Sequence, residues 1–146
     1  MKQKRAYKYR LYPTDEQRKI LAQTFGCARF VYNWGLRLRT DAYSNENKRL
    51  YYSDTSAMLT DLKKQDDRTW LNEVSCVPTQ QALRHLDKAF RNFFEGRAKY
   101  PTFKKKRNQQ SAEYTTSAFR WDGTRLILAK MEEPLAIRWS RPKISR

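Results

Sequence analysis

Glycine, proline, histidine and cysteine are all scarce in this 146-residue chain, with 4 Gly, 5 Pro, 1 His and 2 Cys. So little glycine and proline argues against a loop-rich or disordered polypeptide. One histidine, His85, gives no basis for a Ser/His/Asp or Cys/His relay. Cys27 and Cys76 stand far apart with no CxxC or Cys/His cluster beside them, which excludes a zinc site built within the chain and fits two reduced thiols in the cytosol. No apolar run approaches the ~18 residues of a membrane span, and no signal-peptide core is visible, so neither secretion nor a membrane partner is expected. Acid is the other shortage: 15 Asp and Glu stand against 31 Lys and Arg.

What remains is basic and aromatic. The formal net charge is +16, and aromatic residues make up 14% of a chain that is 39% hydrophobic. A field of that sign attracts polyanions, with binding that weakens steeply as salt rises. Ribosomal and membrane-surface proteins share the profile, but charge and aromatics together point to nucleic acid. The length suits one ordinary domain or two small intertwined ones, with a core that needs no metal or disulfide.

Residues 4–12 alternate basic with apolar and aromatic side chains, a strand pattern that Pro13 ends. Thr14-Asp15-Glu16-Gln17 then reads as a capping box, with two acids suited to the positive end of a helix. The helix continues through Ile20, Leu21, Thr24, Phe25, Ala28, Val31 and Tyr32, with Gly26 marking a break or a close contact, and fades near Tyr43 into a loop at 44–47. Ser53 or Asp54 caps a short helix through Lys64, and Trp70-Leu71 pins the connection that follows. Pro78 fits the first turn of a long helix to about Arg97, whose stripe of Ala82, Leu83, Leu86, Ala89, Phe90, Phe93 and Phe94 is the strongest amphipathic pattern present. After a basic run, Lys99 to Arg107, the period changes to two. Residues 112–121, 124–131 and 135–140 read as strands, with Asp122-Gly123 as a hairpin turn. Strand, helices, strands predicts an α+β fold, a helical block inserted into a small sheet.

Metal-dependent phosphodiester cleavage needs carboxylates that converge on divalent ions. Here Asp15, Glu16, Asp66, Asp67, Glu132 and Glu133 are scattered over a helix start, a loop and a turn, and capping and solubility account for them. Binding has better candidates. Arg29, with Arg37 and Arg39 beyond it, lies on the helix of Phe30, Tyr32 and Trp34; arginine suits phosphate or guanine, and aromatics suit unpaired bases. Helical spacing makes most of those aromatics core, while Arg29 and Asn33 share a face suited to RNA or backbone contact. Gln80, Gln81, Arg84, Lys88 and Arg91 lie opposite the phenylalanine stripe and form either a groove-facing surface or a solvated helix face. Lys104, Lys105, Lys106 and Arg107 suit phosphate tracking, a mobile solvated loop being the alternative. Arg120-Trp121 and Arg138-Trp139 repeat a basic–aromatic pair.

Several blocks, in order, resemble the opening of the OrfB/TnpB proteins encoded by bacterial insertion sequences, compact relatives of type V CRISPR effectors. They are Tyr9-Arg10-Leu11-Tyr12-Pro13, Gln17, Gly26 to Asn33, Leu62-Lys63-Lys64, Trp70 to Val74, Gln80 to Leu83, Ala89 to Phe94 and Tyr100 to Lys104. The resemblance implies a wedge-type, barrel-like antiparallel β domain from residues 1–12 and 108–146. Between its parts it implies an inserted helical recognition domain, 13–107, of the helix-turn-helix type. It implies a guide RNA and DNA as partners, with Arg10 in the gripping scaffold and Tyr52, Ser56 and Gln80 facing a short motif beside the DNA target, near Val77 and Thr79. Cys76 stands where the family can carry a basic residue. Full-length members continue into a RuvC-like nuclease domain with magnesium-binding acids and a zinc ribbon; this chain stops near where that domain should begin.

The expectation is therefore a TnpB-like N-terminal binding region linked to transposition, without cofactor or catalysis of its own, in the bacterial cytoplasm at the nucleoid. A shortened gene product, a split gene with a separately encoded RuvC half, or an excised piece would each give such a chain. The rival is a stand-alone helix-turn-helix DNA-binding regulator, which predicts dimers and a palindromic site.

Overall fold

The computed structural model describes residues 9–123 and 125–138. Strand β1 (Arg10–Tyr12) leads into α1 (Asp15–Glu46), α2 (Tyr52–Leu62), a 3-10 segment (Asp66–Glu73) and α3 (Cys76–Phe94); the short strands β2 (Phe119–Trp121), β3 (Leu126–Leu128) and β4 (Ala136–Arg138) follow. The fold is α+β.

The start of α1 is the capping box that its sequence predicts. Gln17 N–H donates to Thr14 Oγ1 at 3.2 Å, and Thr14 N–H donates to Gln17 Oε1 at 2.9 Å. The helix then runs for 32 residues without interruption. Gly26 therefore marks no break, and a Cβ placed there would meet nothing within 4 Å, so it marks no close contact either. The close contact is at Gly35, where a Cβ would stand 2.8 Å from Leu83 Cδ2 and 2.9 Å from Leu86 Cδ2. The helix also outlasts the expected fade at Tyr43. It ends at Glu46 because Asn47 adopts the left-handed conformation, φ 52°, and Lys48 N–H closes on Ala42 O at 3.1 Å.

Helix α2 begins one residue before the predicted cap, and Asp54 serves from inside the first turn, accepting Tyr51 N–H at 2.9 Å. In the segment that follows, Leu71 is the pin, fully buried, while Trp70 lies at the surface with its ring edge-on to Phe30 at 5.1 Å. Ser75 caps α3, with Pro78 in its first turn. That helix stops at Phe94, short of Arg97, in a Schellman arrangement: Arg97 N–H reaches Asn92 O at 2.8 Å, Gly96 N–H reaches Phe93 O at 3.0 Å, and Gly96 supplies φ 77°.

Helices α1, α2 and α3 share the main core. Cys27, Val31, Leu59, Leu62, Leu71, Val74 and Leu83 form one part, and Ala28, Tyr32, Leu36, Ala82, Leu86 and Phe90 the other. The β region is smaller than its alternating pattern suggests. Among the described residues there is no barrel but two antiparallel pairs, β1 with β4 and β2 with β3, each strand 3 residues long. The β2–β3 turn falls at Asp122-Gly123 as predicted, with Gly123 at φ 94°. One bridge, Leu126 to Leu135, joins the two pairs. Leu128, Met131 and Leu135 pack with Ile20 and Leu21 against the start of α1. There Gln17 Nε2 donates to Glu133 O at 3.1 Å and Pro134 O at 3.2 Å, tying helix to ribbon. The expected strand residues before Tyr9 and from 139 onward, Trp139 included, lie outside the described residues.

Candidate nucleic-acid interface

The candidate residues gather into two groups, with Arg10 apart. The first is built on α1. Asn33 and Arg29 lie four residues apart on one helical face, and both reach the same segment. Asn33 Nδ2 donates to Lys104 O at 2.9 Å, and Lys104 N–H donates back to Asn33 Oδ1 at 2.8 Å. The side-chain amide thus acts as a strand partner for the Lys104 backbone. Arg29 Nη1 donates to Gln110 Oε1 at 3.2 Å, and Gln110 Nε2 is shared among the carbonyls of Lys105, Lys106 and Asn108 at 3.2, 3.0 and 2.9 Å. Asn108 N–H closes the turn on Lys105 O at 3.0 Å.

The run is accordingly a fastened turn. Lys105, Lys106 and Arg107 project into solvent from it, while the Lys104 ammonium lies 4.5 Å above the Tyr32 ring. Burial pushes the Tyr32 phenol above its ordinary value. Arg29 and Asn33 are thereby positioning residues for the basic turn. Between the turn, α1 and α3 lies an open cleft of about 540 Å³, lined among others by Arg29, Gln81, His85, Lys104 and Gln110. His85 is exposed, 3.6 Å from Glu113.

The second group spans α2 and α3. Gln80, Arg84 and Lys88 follow one another at helical spacing on α3, and Tyr52 and Ser56 do so on α2. The Arg84 guanidinium lies 4.1 Å over the Tyr52 ring, which joins the two rows into one surface. Lys88 and Arg84 are exposed; Ser56, Gln80 and Tyr52 are partly buried. Arg10 is exposed on β1, in register with Arg138 of β4.

Arg39, grouped in the sequence with Arg29 and Arg37 as an arginine suited to phosphate or guanine, is instead internal. Its side chain is 6% exposed, and Nη1 donates to Asp87 Oδ1 at 2.9 Å. Arg37, two residues earlier, is 74% exposed. Asp87 was not singled out in the sequence, although it is the only acid in α3. It also accepts Tyr52 N–H at 3.1 Å and Arg91 Nη2 at 3.2 Å, and so fixes the start of α2 against α1 and α3. Gln110, the knot of the basic turn, gives no sequence signal. Among the described residues no group of three or more His, Cys, Asp or Glu is placed to hold a metal ion, and no helix is long and apolar enough to cross a membrane.

The class is visible in comparison with known proteins. Residues 1–48 match a family model described as the helix-turn-helix domain of the OrfB_IS605 group. Among the described residues that span holds β1 and α1 with the first residues of the turn; α2 follows beyond it. Over 140 residues the chain is 57% identical to a Streptomyces pristinaespiralis protein named "Putative RNA-guided DNA endonuclease", covering 95% of this chain and 35% of that protein. It is 29% identical over 147 residues to the Escherichia coli K12 protein of the same name with the suffix InsQ, again covering 35% of that protein. Virulence protein VsdF of Salmonella dublin is 36% identical over 111 residues, 93% of its length and 70% of this chain. The chain belongs to the OrfB/TnpB family and corresponds to its N-terminal region. It spans about a third of the length of the two endonuclease-named relatives.

Proposed function

We propose that this chain is the nucleic-acid-holding region of a TnpB-like, transposition-linked RNA-guided system, gripping structured RNA and DNA while cleavage belongs to other parts of the longer relatives. The carrying observation is the basic turn: Lys105, Lys106 and Arg107 stand in solvent on a backbone fastened to α1 by Asn33, Arg29 and Gln110. A fastened row of cations binds phosphates without first losing loop entropy. The Tyr52, Ser56, Gln80, Arg84 and Lys88 surface then reads base edges beside the target. Residues 1–12 with 108–146, and 13–107, are its two lobes. Binding of this kind requires no cofactor, and the site of action is the bacterial cytoplasm.

Fluorescence anisotropy with a labelled structured RNA and a DNA duplex tests this. Several phosphate contacts predict an affinity loss of orders of magnitude between about 50 and 200 mM salt. Replacing Lys105, Lys106 and Arg107 by alanine should lower the slope of log K against log salt by about 2–3, as each lost contact contributes about 0.7–0.9. Asn33→Ala should lower affinity and expose the turn to trypsin without removing a charge. A salt-independent affinity, or an unchanged slope in the triple variant, would refute the assignment.

A further inference from the structure

At the far end of the helices from the ribbons, aromatic side chains surround a cavity of about 250 Å³ that the proposed function leaves unused. Its rings are ordered on each other. Tyr100 stands edge-on to Phe90 at 5.4 Å and to Phe93 at 5.1 Å; Phe94 lies 5.2 Å from Phe93 and 6.5 Å from Tyr43. Yet three of them are open to solvent, Tyr43 at 52%, Phe94 at 41% and Tyr100 at 41%. The Arg49 guanidinium lies 3.9 Å over the Phe94 ring at the rim. Arg39 lies 4.3 Å over the Phe90 ring and is neutralised by Asp87. The Tyr100 hydroxyl is 2.6 Å from Thr40 Oγ1, which fixes that ring in place.

We infer that this cavity takes one unpaired nucleobase, stacked among Tyr43, Phe94 and Tyr100, with its phosphate on Arg49. The inference rests on the reading that the chain binds nucleic acid. Three observations select this occupant. A cavity of about 250 Å³ is smaller than the ~300–1,000 Å³ of drug-sized ligand sites, so it suits one flat group. The rim carries Arg49 with exposed Lys48, on a chain of net charge +16, which favours a polyanion over an apolar peptide. Tyr100 also belongs to the same segment as the basic turn, four residues before Lys104, so a strand tracked along the turn leads towards the cavity. Exposed aromatics beside arginine form the platform on which single-stranded nucleic acid stacks, with little base preference because every base has a π-face.

The test uses the 146-residue chain with 12-mers of RNA and of DNA that carry one central 2-aminopurine, each alone and annealed to its complement. Stacking should quench the 2-aminopurine of the unpaired strands on binding, with no comparable quenching of the duplexes. Tyr43→Leu/Phe94→Leu, which keeps apolar volume and removes both rings, should abolish the quenching and weaken unpaired strands about tenfold. Duplex affinity and salt slope should stay unchanged, and Arg49→Gln should weaken unpaired strands while leaving part of the quenching. Quenching in only one of the two sugar types would support the site and assign its source. Tight binding without quenching, or an equal loss for duplex and single strand, overturns the inference but leaves the proposed function standing. Failure to bind any of these nucleic acids overturns both. An apolar fluorescent dye that binds the cavity and is not displaced by oligonucleotide would assign the surface to a protein partner and overturn it as well.

Discussion

Replacing Asp87 by alanine strands the Arg39 guanidinium, whose side chain is 6% exposed and whose charged partner is the Asp87 carboxylate at 2.9 Å. Removing one member of a buried pair typically costs about 3–5 kcal/mol, because the remaining charge stays out of water. The second ion pair at Asp87 adds little: Arg91 is 62% exposed, and exposed pairs contribute about 0–1 kcal/mol. Loss of the Tyr52 N–H acceptor frees the start of α2 as well. Against a total stability of about 5–15 kcal/mol, the change takes a large share. With a urea slope near 2 kcal/mol per M, the midpoint should fall by about 2 M. Urea titrations followed by circular dichroism measure this directly. Arg39→Met in the same chain removes the stranded charge, so Arg39→Met/Asp87→Ala should be markedly more stable than Asp87→Ala. A cost below about 1 kcal/mol for Asp87→Ala, or a double variant as unstable as the single, would refute the buried-pair account.

Two further outcomes follow from the packing. Gly35→Val drives side-chain atoms into the Cδ2 methyls of Leu83 and Leu86, both fully buried, so these must shift, and the change should destabilise by about 1–3 kcal/mol; an unshifted urea midpoint would deny the close approach of α1 and α3. Alkaline pH should also weaken the fold. Burial, with the nearby Glu73 charge adding and Lys63 opposing, pushes the Cys27 thiol above its ordinary 9.0, and burial pushes the Tyr32 and Tyr114 phenols above 10.0. Their raised folded values mean that the unfolded chain loses protons first. The stability is therefore fully present below pH 9 and declines as pH rises beyond it, by up to about 1.36 kcal/mol per unit per group. Urea midpoints from pH 8 to 10.5 check this, and Cys27→Ala should flatten the early part of the decline.

Local patterns were legible in the sequence and long-range choices were not. The Thr14–Gln17 box, the face of α3 from Ala82 to Phe90 and the Asp122-Gly123 turn each depend on residues a few positions apart, and each formed. Phe94, at the end of the predicted stripe, is instead exposed, because it lies in the last turn of α3, where the aromatic cavity opens to solvent. Gly26 and Gly35 have the same chemistry, but only the helix packed opposite decides which must be small, so the wrong glycine drew attention. Arg37 and Arg39 differ in fate for a similar reason, since two positions of rotation turn one to solvent and the other onto Asp87. The α1 face bearing Arg29 and Asn33 was recognised, but its target, the backbone of a turn some seventy positions on, has no signature in composition or period. The β1–β4 ribbon likewise reflects pairing between distant parts of the chain, which alternation alone does not specify.

The unbroken α1 also serves as a ruler. At about 1.5 Å per residue, the rise from Gln17, where the helix holds the ribbons, to Tyr43 at the aromatic cavity is about 39 Å. One turn of a duplex is about 34–36 Å. A duplex lying parallel to this rod would therefore run slightly more than one helical turn between the levels of its two ends, whatever its sequence. Inserting or deleting a single residue in α1 would change that span only slightly, yet rotate one end against the other by about 100°. The length of α1 thus fixes the phase between its two ends as much as their separation.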